Sequence, residues 1–321
     1  MRLSVALCTY NGARYLREQL QSIAEQSMPP DEIVVCDDGS TDETLQILNG
    51  FAAASLIPVR VYADGDRVGV VRNFERAIGR CSGDVIALAD QDDVWLPEKL
   101  KVTVEALERA EKGCSSGTPI LVHTDLCVVD SAKNVIAESF REHQGIRKKQ
   151  QNPLAGLLVE NYVTGCTVAL NRTLKEESMP IPGEAVIHDW WLALVAAARG
   201  RIVTLPTSTI LYRQHGSNAV GAGKRSLRRY VFGWKAFLER VEAPVRQSEA
   251  LLFQLRGRLE PETESFLNEF NTRIRRGGPS AVYWMMRNGV RMQSALRTAA
   301  IFFLVAVGAF RHRSPPTRAS L

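Results

Sequence analysis

Short β-rich apolar runs alternate with amphipathic helical patterns through the first 130 residues, and this alternation constrains the fold more than any other feature of the chain. "LSVALCTY" is followed by a helical pattern over 13–26, "EIVVCDD" by one over 42–53, "VRVYAD" by 71–80 and "DVIALAD" by 97–112, after which "ILVHTDLCVVD" reads as another strand. Strands separated by helices of that length predict an α/β fold: a mostly parallel, Rossmann-like sheet with helices on both faces. In such sheets ligands bind beyond the carboxyl ends of the strands. That edge is where the loops carry Thr9-Tyr10-Asn11, Asp37-Asp38-Gly39 and Asp90-Gln91-Asp92-Asp93.

The last of these loops concentrates three carboxylates in four positions. Like charges in a partly dry cleft raise one another's pKa unless a cation lies among them. Hard divalent ions take oxygen ligands, and Mg2+ is commonly held by one or two carboxylates together with substrate phosphates. The alternative on pattern alone is a solvated turn in which an Asp caps the helix beginning near Pro97. Neither GxGxxG nor GxxxxGK[ST] follows the first strand, which disfavours a dinucleotide oxidoreductase and a P-loop NTPase.

Charge divides the chain. Residues 224–321 hold 18 Lys+Arg against 7 acidic residues, whereas residues 1–223 hold 22 against 28. With the Gly, Ser and Asn punctuation of "GSNAVGAGK", this places a boundary between a domain of residues 1–222 and a helical, basic C-terminal region of residues 223–321. Within that region residues 299–310 are uncharged and mostly apolar. Twelve residues are too few for an ordinary membrane span of ~20, so the segment reads either as an interfacial helix on anionic lipid or as a buried core or dimer helix. Six cysteines without metal-ligand spacing fit a reducing compartment, hence a cytoplasmic protein, peripheral on the inner face of the cell membrane if the tail binds lipid.

In order along the chain, "CTYNG", "VVCDDGSTDET", "GVVRNFERAI", "ADQDDVW", "VTGCTVALNR", "HDWWLAL" and "LYRQHGSN" resemble the family 2 inverting glycosyltransferases of GT-A fold. The QDD and HDWW variants are most similar to the rhamnosyltransferase-type members, and the resemblance covers about residues 3–218. It implies that Thr9, Tyr10 and Asn11 line a nucleotide pocket, with Asp37 and Asp38 near the base and Arg72 near the nucleotide. It also implies that Asp90 and Asp92 form a DxD motif, Asp92 as direct ligand of a Mg2+ or Mn2+ that bridges the diphosphate, with His215 beside it. Asp189 matches the catalytic base. Trp190 and Trp191 could offer acceptor-side platforms for a sugar ring or belong to the core. As a bare residue before an apolar helical run, Asp189 also reads as an N-cap.

The resemblance implies transfer of a sugar, L-rhamnose from dTDP-rhamnose, to a hydroxyl of a cell-envelope polysaccharide or lipid-linked oligosaccharide. The donor is a dTDP- or UDP-sugar and the acceptor a glycan or lipid-linked glycan. A membrane surface and a second copy of the chain are further candidate partners, and nucleic acid is not. A nucleotidyltransferase acting on sugar phosphates and a non-catalytic nucleotide-sugar binding protein are the alternatives. The first would be expected to carry a Gly-rich basic loop that "TYNGARYL" does not supply.

Overall fold

The structure is a computed structural model that describes residues 1–146, 152–215 and 234–310. The expected boundary near residue 222 lies outside the described residues. The chain divides into two compact units, the first comprising Met1–Gln144, Val163–Ile181 and Ile187–Gly223, the second Gly145–Tyr162, Pro182–Val186 and Lys224–Leu321.

The strands are β1 (Leu3–Thr9), β2 (Glu32–Asp37), β3 (Val59–Tyr62), β4 (Val85–Asp90), β5 (Val94–Trp95), β6 (Ile120–Val129), β7 (Val135–Ala137), β8 (Val168–Asn171) and β9 (Arg201–Arg213). The first unit carries helices α1 (Ala13–Ala24), α2 (Thr44–Ala54), α3 (Val70–Arg80), α4 (Lys99–Lys112), α5 (Phe140–His143), α7 (Arg172–Ser178) and α8 (His188–Arg199). The short α6 (Pro153–Leu157) belongs to the second unit, with α9 (Trp234–Gln254), α10 (Pro261–Arg276), α11 (Pro279–Arg287) and α12 (Ala295–Ala306).

One sheet runs in the order β3-β2-β1-β4-β8-β6-β9-β5, with β7 added beside β6. The four strands from β3 to β4 are parallel, as the alternating pattern requires. Beyond them the sheet is mixed: β8 runs antiparallel to both β4 and β6, β9 is parallel to β6, and β5 is antiparallel to β9. β1 and β2 are buried along their whole length, the behaviour of strands covered on both faces, which is why they read as unbroken apolar runs. Helices present apolar stripes at helical spacing, Leu16, Leu20 and Ile23 on α1 and Phe74, Ala77 and Ile78 on α3.

Register fixes the functional edge. Thr9 pairs with Asp37 across β1 and β2, and Cys8 with Asp90 across β1 and β4. Three neighbouring strands therefore end together in polar residues. The order reverses between β2-β1 and β4, the kind of switch point beyond which α/β sheets hold ligands.

Candidate active site

The turn after β4 is built by four residues with four tasks. Asp90, half-buried at the strand end, has its carboxyl pushed up to about 7, first by burial and then by the neighbouring charges of Asp92 and Asp189. Gln91 turns back to β1: its Nε2 donates to the Tyr10 carbonyl at 2.9 Å and its Oε1 accepts from the Tyr10 N–H at 2.8 Å. Asp92 points towards the end of β9, where His215 Nε2 lies 2.9 Å from its Oδ2. Asp93 goes the other way, fully buried, with Oδ1 accepting from the Arg213 N–H at 3.3 Å.

Asp93 lies beneath the turn with no surface exposed. Burial, and then the Asp92 and Asp90 charges, raise its pKa well above the carboxylate range, and the buried Cys166 thiol lies within 4.8 Å of it. Lys99 lies in the same interior, its Nζ 4.3 Å from the centroid of the Trp95 ring and its pKa lowered to about 8 by burial.

Arg213 holds this turn and escapes a sequence reading. Its Nε donates to the Asp92 carbonyl at 3.1 Å, its Nη1 to the Ser131 carbonyl at 2.9 Å, and its Nη2 pairs with Glu18. The guanidinium lies 4.6 Å from the centroid of Tyr15, whose ring stands 4.9 Å from that of His215. β5 pairs with β9 through Val94 and Leu211, so the antiparallel ladder brings the DxD turn against Arg213-Gln214-His215. The local signal was the placing of Arg213 two residues before His215 in "LYRQH".

Of the residues expected around the nucleotide, Thr9 and Asp37 bond one another, while the others are engaged by neighbouring segments and Arg72 by Glu75 and Ile181. Thr9 Oγ1 donates to Asp37 at 2.7 Å, and Asp37 also accepts from the Ser40 N–H and hydroxyl. Asp38 accepts from the backbone N–H groups of Val68 and Gly69, which fixes the entry to α3. Asn11, in a left-handed conformation (φ 46°), accepts from the Thr41 N–H at 2.8 Å. Tyr10 is half-buried beneath the Arg67 guanidinium, 4.1 Å from its ring centroid. Arg72 bonds Glu75 and the Ile181 carbonyl. Tyr10 and Arg67 are the accessible pair that a base could stack upon.

Asp189 is buried in the first turn of α8. The N-cap is Ile187, in extended backbone and without a side-chain cap bond, so the cap reading of Asp189 is corrected: it stands one residue inside the helix, where the helix dipole favours a carboxylate. Gly165 leaves room for it. A Cβ there would stand 3.3 Å from Asp189 Oδ2 and 2.9 Å from His188 Nε2. His188 stacks on Phe74 with ring centroids 3.8 Å apart, and among the described residues neither ring nitrogen has a hydrogen-bond partner. Burial lowers its pKa to about 3, so the imidazole is neutral. Trp191 is fully buried, its Nε1 donating to the Ser178 carbonyl at 2.9 Å, which makes it core rather than a platform. Trp190 is buried as well, 8% exposed.

A divalent cation fits the donor set. Asp92 Oδ2 and His215 Nε2 at 2.9 Å have the spacing of adjacent ligands on an octahedral ion whose bonds are about 2.1 Å. Asp90 beside them carries a carboxyl whose ionisation its anionic neighbours oppose and a cation would favour. Asp90, Asp93 and Cys166 also place one ligand atom each within 4.8 Å of one another, but a thiol raised far above its ordinary pKa by burial is a poor partner for a hard ion.

Residues 4–173 match the profile of Glycosyl transferase family 2, so the chain belongs to that family. Uncharacterized protein Rv1520 of Mycobacterium tuberculosis (strain ATCC 25618 / H37Rv) is 28% identical over 215 residues, covering 66% of this chain but only 59% of the relative's own length. dTDP-rhamnosyl transferase RfbG of Shigella flexneri is 29% identical over 228 residues, 67% of this chain and 74% of that protein. Among solved structures, S. aureus TarS 1–349 in complex with UDP-GlcNAc superimposes with a TM-score of 0.55 at 20% identity, over 84% of this chain and 70% of that one. The mannosyltransferase PcManGT from Pyrobaculum calidifontis in complex with GDP-Man and Mn2+ gives 0.51 at 18% identity, over 96% and 85%. At these identities the likeness establishes the GT-A fold.

Proposed function

We propose that the chain is a divalent-metal-dependent inverting glycosyltransferase that moves L-rhamnose from dTDP-rhamnose to a hydroxyl of a cell-envelope polysaccharide or lipid-linked oligosaccharide, working at the inner face of the membrane. The observation that carries this reading is the meeting of Asp90, Asp92, His215 and Asp189 at one edge of a GT-A sheet. The name of the RfbG relative supports rhamnose as the sugar. The nucleotide sugars and the Mn2+ in the complexes of the structural neighbours support the donor class and the ion.

Each residue then has a task. Tyr10 and Arg67 receive the base, and Gln91 locks the Tyr10 backbone to the DxD turn. Asp92, His215 and Asp90 would hold Mg2+ or Mn2+, which would supply Lewis-acid stabilisation of the charge developing on the departing diphosphate. Arg213 fixes the turn that carries those ligands. Asp189 takes the proton from the acceptor hydroxyl as it attacks, and a single in-line displacement inverts the anomeric centre. Neutral His188 orders the wall beside that base.

The test is a panel of nucleotide sugars, bound calorimetrically and then turned over with and without acceptor glycans. Acceptor-dependent release of dTDP from dTDP-rhamnose is expected. Preference for a UDP-sugar would overturn the donor, pyrophosphate release from a nucleoside triphosphate incubated with a sugar 1-phosphate would point to a nucleotidyltransferase, and binding without turnover to a non-catalytic protein.

A further inference from the structure

The helical second unit carries an apolar surface that its own interior does not use. α12 buries Ile301, Leu304 and Val305, yet its other side is apolar too: Leu296, Ala300, Phe303 and Val307 follow one another at helical spacing and are exposed. α11 behaves likewise, burying Ala281 and Met285 while exposing Tyr283 and Met286. Between the two helices lies an open groove of about 380 Å³ lined by Pro279, Val282, Tyr283, Met286, Phe302 and Phe303. Tyr283, Met286 and Phe303 are each about two-thirds exposed, at 66%, 64% and 64%.

The charge that these two helices carry has one sign. From Phe270 to Leu321 the sequence has nine arginines and no aspartate or glutamate. Arg287 follows Met286 and is exposed, Arg291 is exposed in the connection to α12, and Arg297 on α12 is tied to Glu160. An apolar face whose own two helices carry arginines and no aspartate or glutamate is complementary to an anionic lipid surface. A second copy of the chain would bring the same arginines against themselves, since a two-fold interface sets the same patch on both sides.

We propose that the α11–α12 face is a docking surface for anionic membrane, Tyr283, Met286 and Phe303 entering the acyl boundary while Arg287 and Arg291 bind headgroup phosphates. The helices lie in the plane of the bilayer. α12 is about 18 Å long at 1.5 Å per residue, well short of a ~30 Å hydrocarbon core, and among the described residues no helix is long and apolar enough to cross one. The surface thereby gives the proposed transferase access to a lipid-linked acceptor, and in that respect it rests on the reading above.

Flotation of the full chain on phosphatidylcholine vesicles, with and without phosphatidylglycerol, tests it. Partitioning should need phosphatidylglycerol and fall as salt is raised. It should drop at least ~10-fold in the double variant Met286→Glu/Phe303→Glu, whose substitutions are on exposed positions and leave the melting temperature and turnover of a water-soluble acceptor unchanged. Equal flotation on both vesicles, no flotation, or flotation untouched by the double variant would overturn the proposal. So would a dimer in sedimentation without vesicles that the double variant abolishes, because a second copy would then be the occupant. Flotation needs no turnover, so failure of every nucleotide sugar would refute the transferase reading while leaving the lipid result standing.

Discussion

His215 Nε2 stands 2.9 Å from Asp92 Oδ2, although 123 residues separate them in the chain. The contact exists because β5 and β9 pair immediately after the DxD turn and immediately before His215. If both side chains hold a divalent ion, turnover should vanish in excess EDTA and return with Mg2+ or Mn2+. His215→Ala, which removes a direct ligand, should then raise the metal concentration for half-maximal rate by at least the ~10- to 100-fold that loss of a ligand's outer partner costs. Asp92→Ala should lose turnover at any metal concentration. Full activity in EDTA would leave the pair a hydrogen bond and nothing more.

Gly12 and Gln91 make a second long-range pair. A Cβ on residue 12 would stand 2.2 Å from Gln91 Oε1, an atom engaged by the Tyr10 N–H. Gly12→Ala should therefore push the amide out of its two bonds with the Tyr10 backbone, at about 0.5–1.5 kcal/mol each, and raise KM for the donor more than it lowers kcat. Because both substitutions break the same clamp, adding Gln91→Ala to Gly12→Ala should cost little further. Additive effects in that cycle would show that the glycine serves another purpose.

The polar strand ends were legible because turn residues follow apolar runs directly: Thr9, Asp37 and Asp90 fall where the alternation puts the carboxyl edge. What pairing across the sheet decides was not legible. Arg213 finds Glu18, Asp92 and Ser131 at separations of 195, 121 and 82 residues, and no local window contains that information. Asp93 follows two exposed-looking acids and reads as one more, yet it goes under the turn to meet Arg213 and Cys166. For Asp189, intrinsic cap preference misleads because Ile187 supplies the extended residue and the helix has already begun at His188.

Two buried histidines predict acid sensitivity. Burial lowers His188 to about 3, and burial followed by the Arg141 charge lowers His123, whose Nε2 lies 2.8 Å from Thr204 Oγ1, to about 3. The unfolded chain, with ordinary values near 6.5, binds protons that the folded chain refuses, so stability is full above that pH and falls as pH drops towards 3. Between pH 7.5 and 5.5 each should contribute a loss of about 1.4 kcal/mol, measurable by urea denaturation at the two pH values. His188→Phe, which keeps an aromatic ring against Phe74, should remove its share of that slope. A slope unchanged in this variant would mean that His188 takes up its proton in the folded protein as readily as in the unfolded chain.

Asp189 sets a proton acceptor against a helix residue, and its position inside α8 sharpens the contrast. Since Ile187 is the N-cap and makes no side-chain cap bond, neither Asp189→Asn nor Asp189→Ala removes one. Both should lose the charge–dipole interaction of the first turn, about 0.3–1 kcal/mol. That loss is opposed by relief of Asp90, whose carboxyl is held up at about 7 in part by the Asp189 charge. The two variants should thus melt within a few degrees of the parent and still bind donor. Turnover should nevertheless fall by ~100- to 10,000-fold in both, the range of general-base contributions, with the loss in kcat rather than in KM for the donor. Asp189→Asn turning over at near-parental rate would show that the acceptor proton leaves by another route.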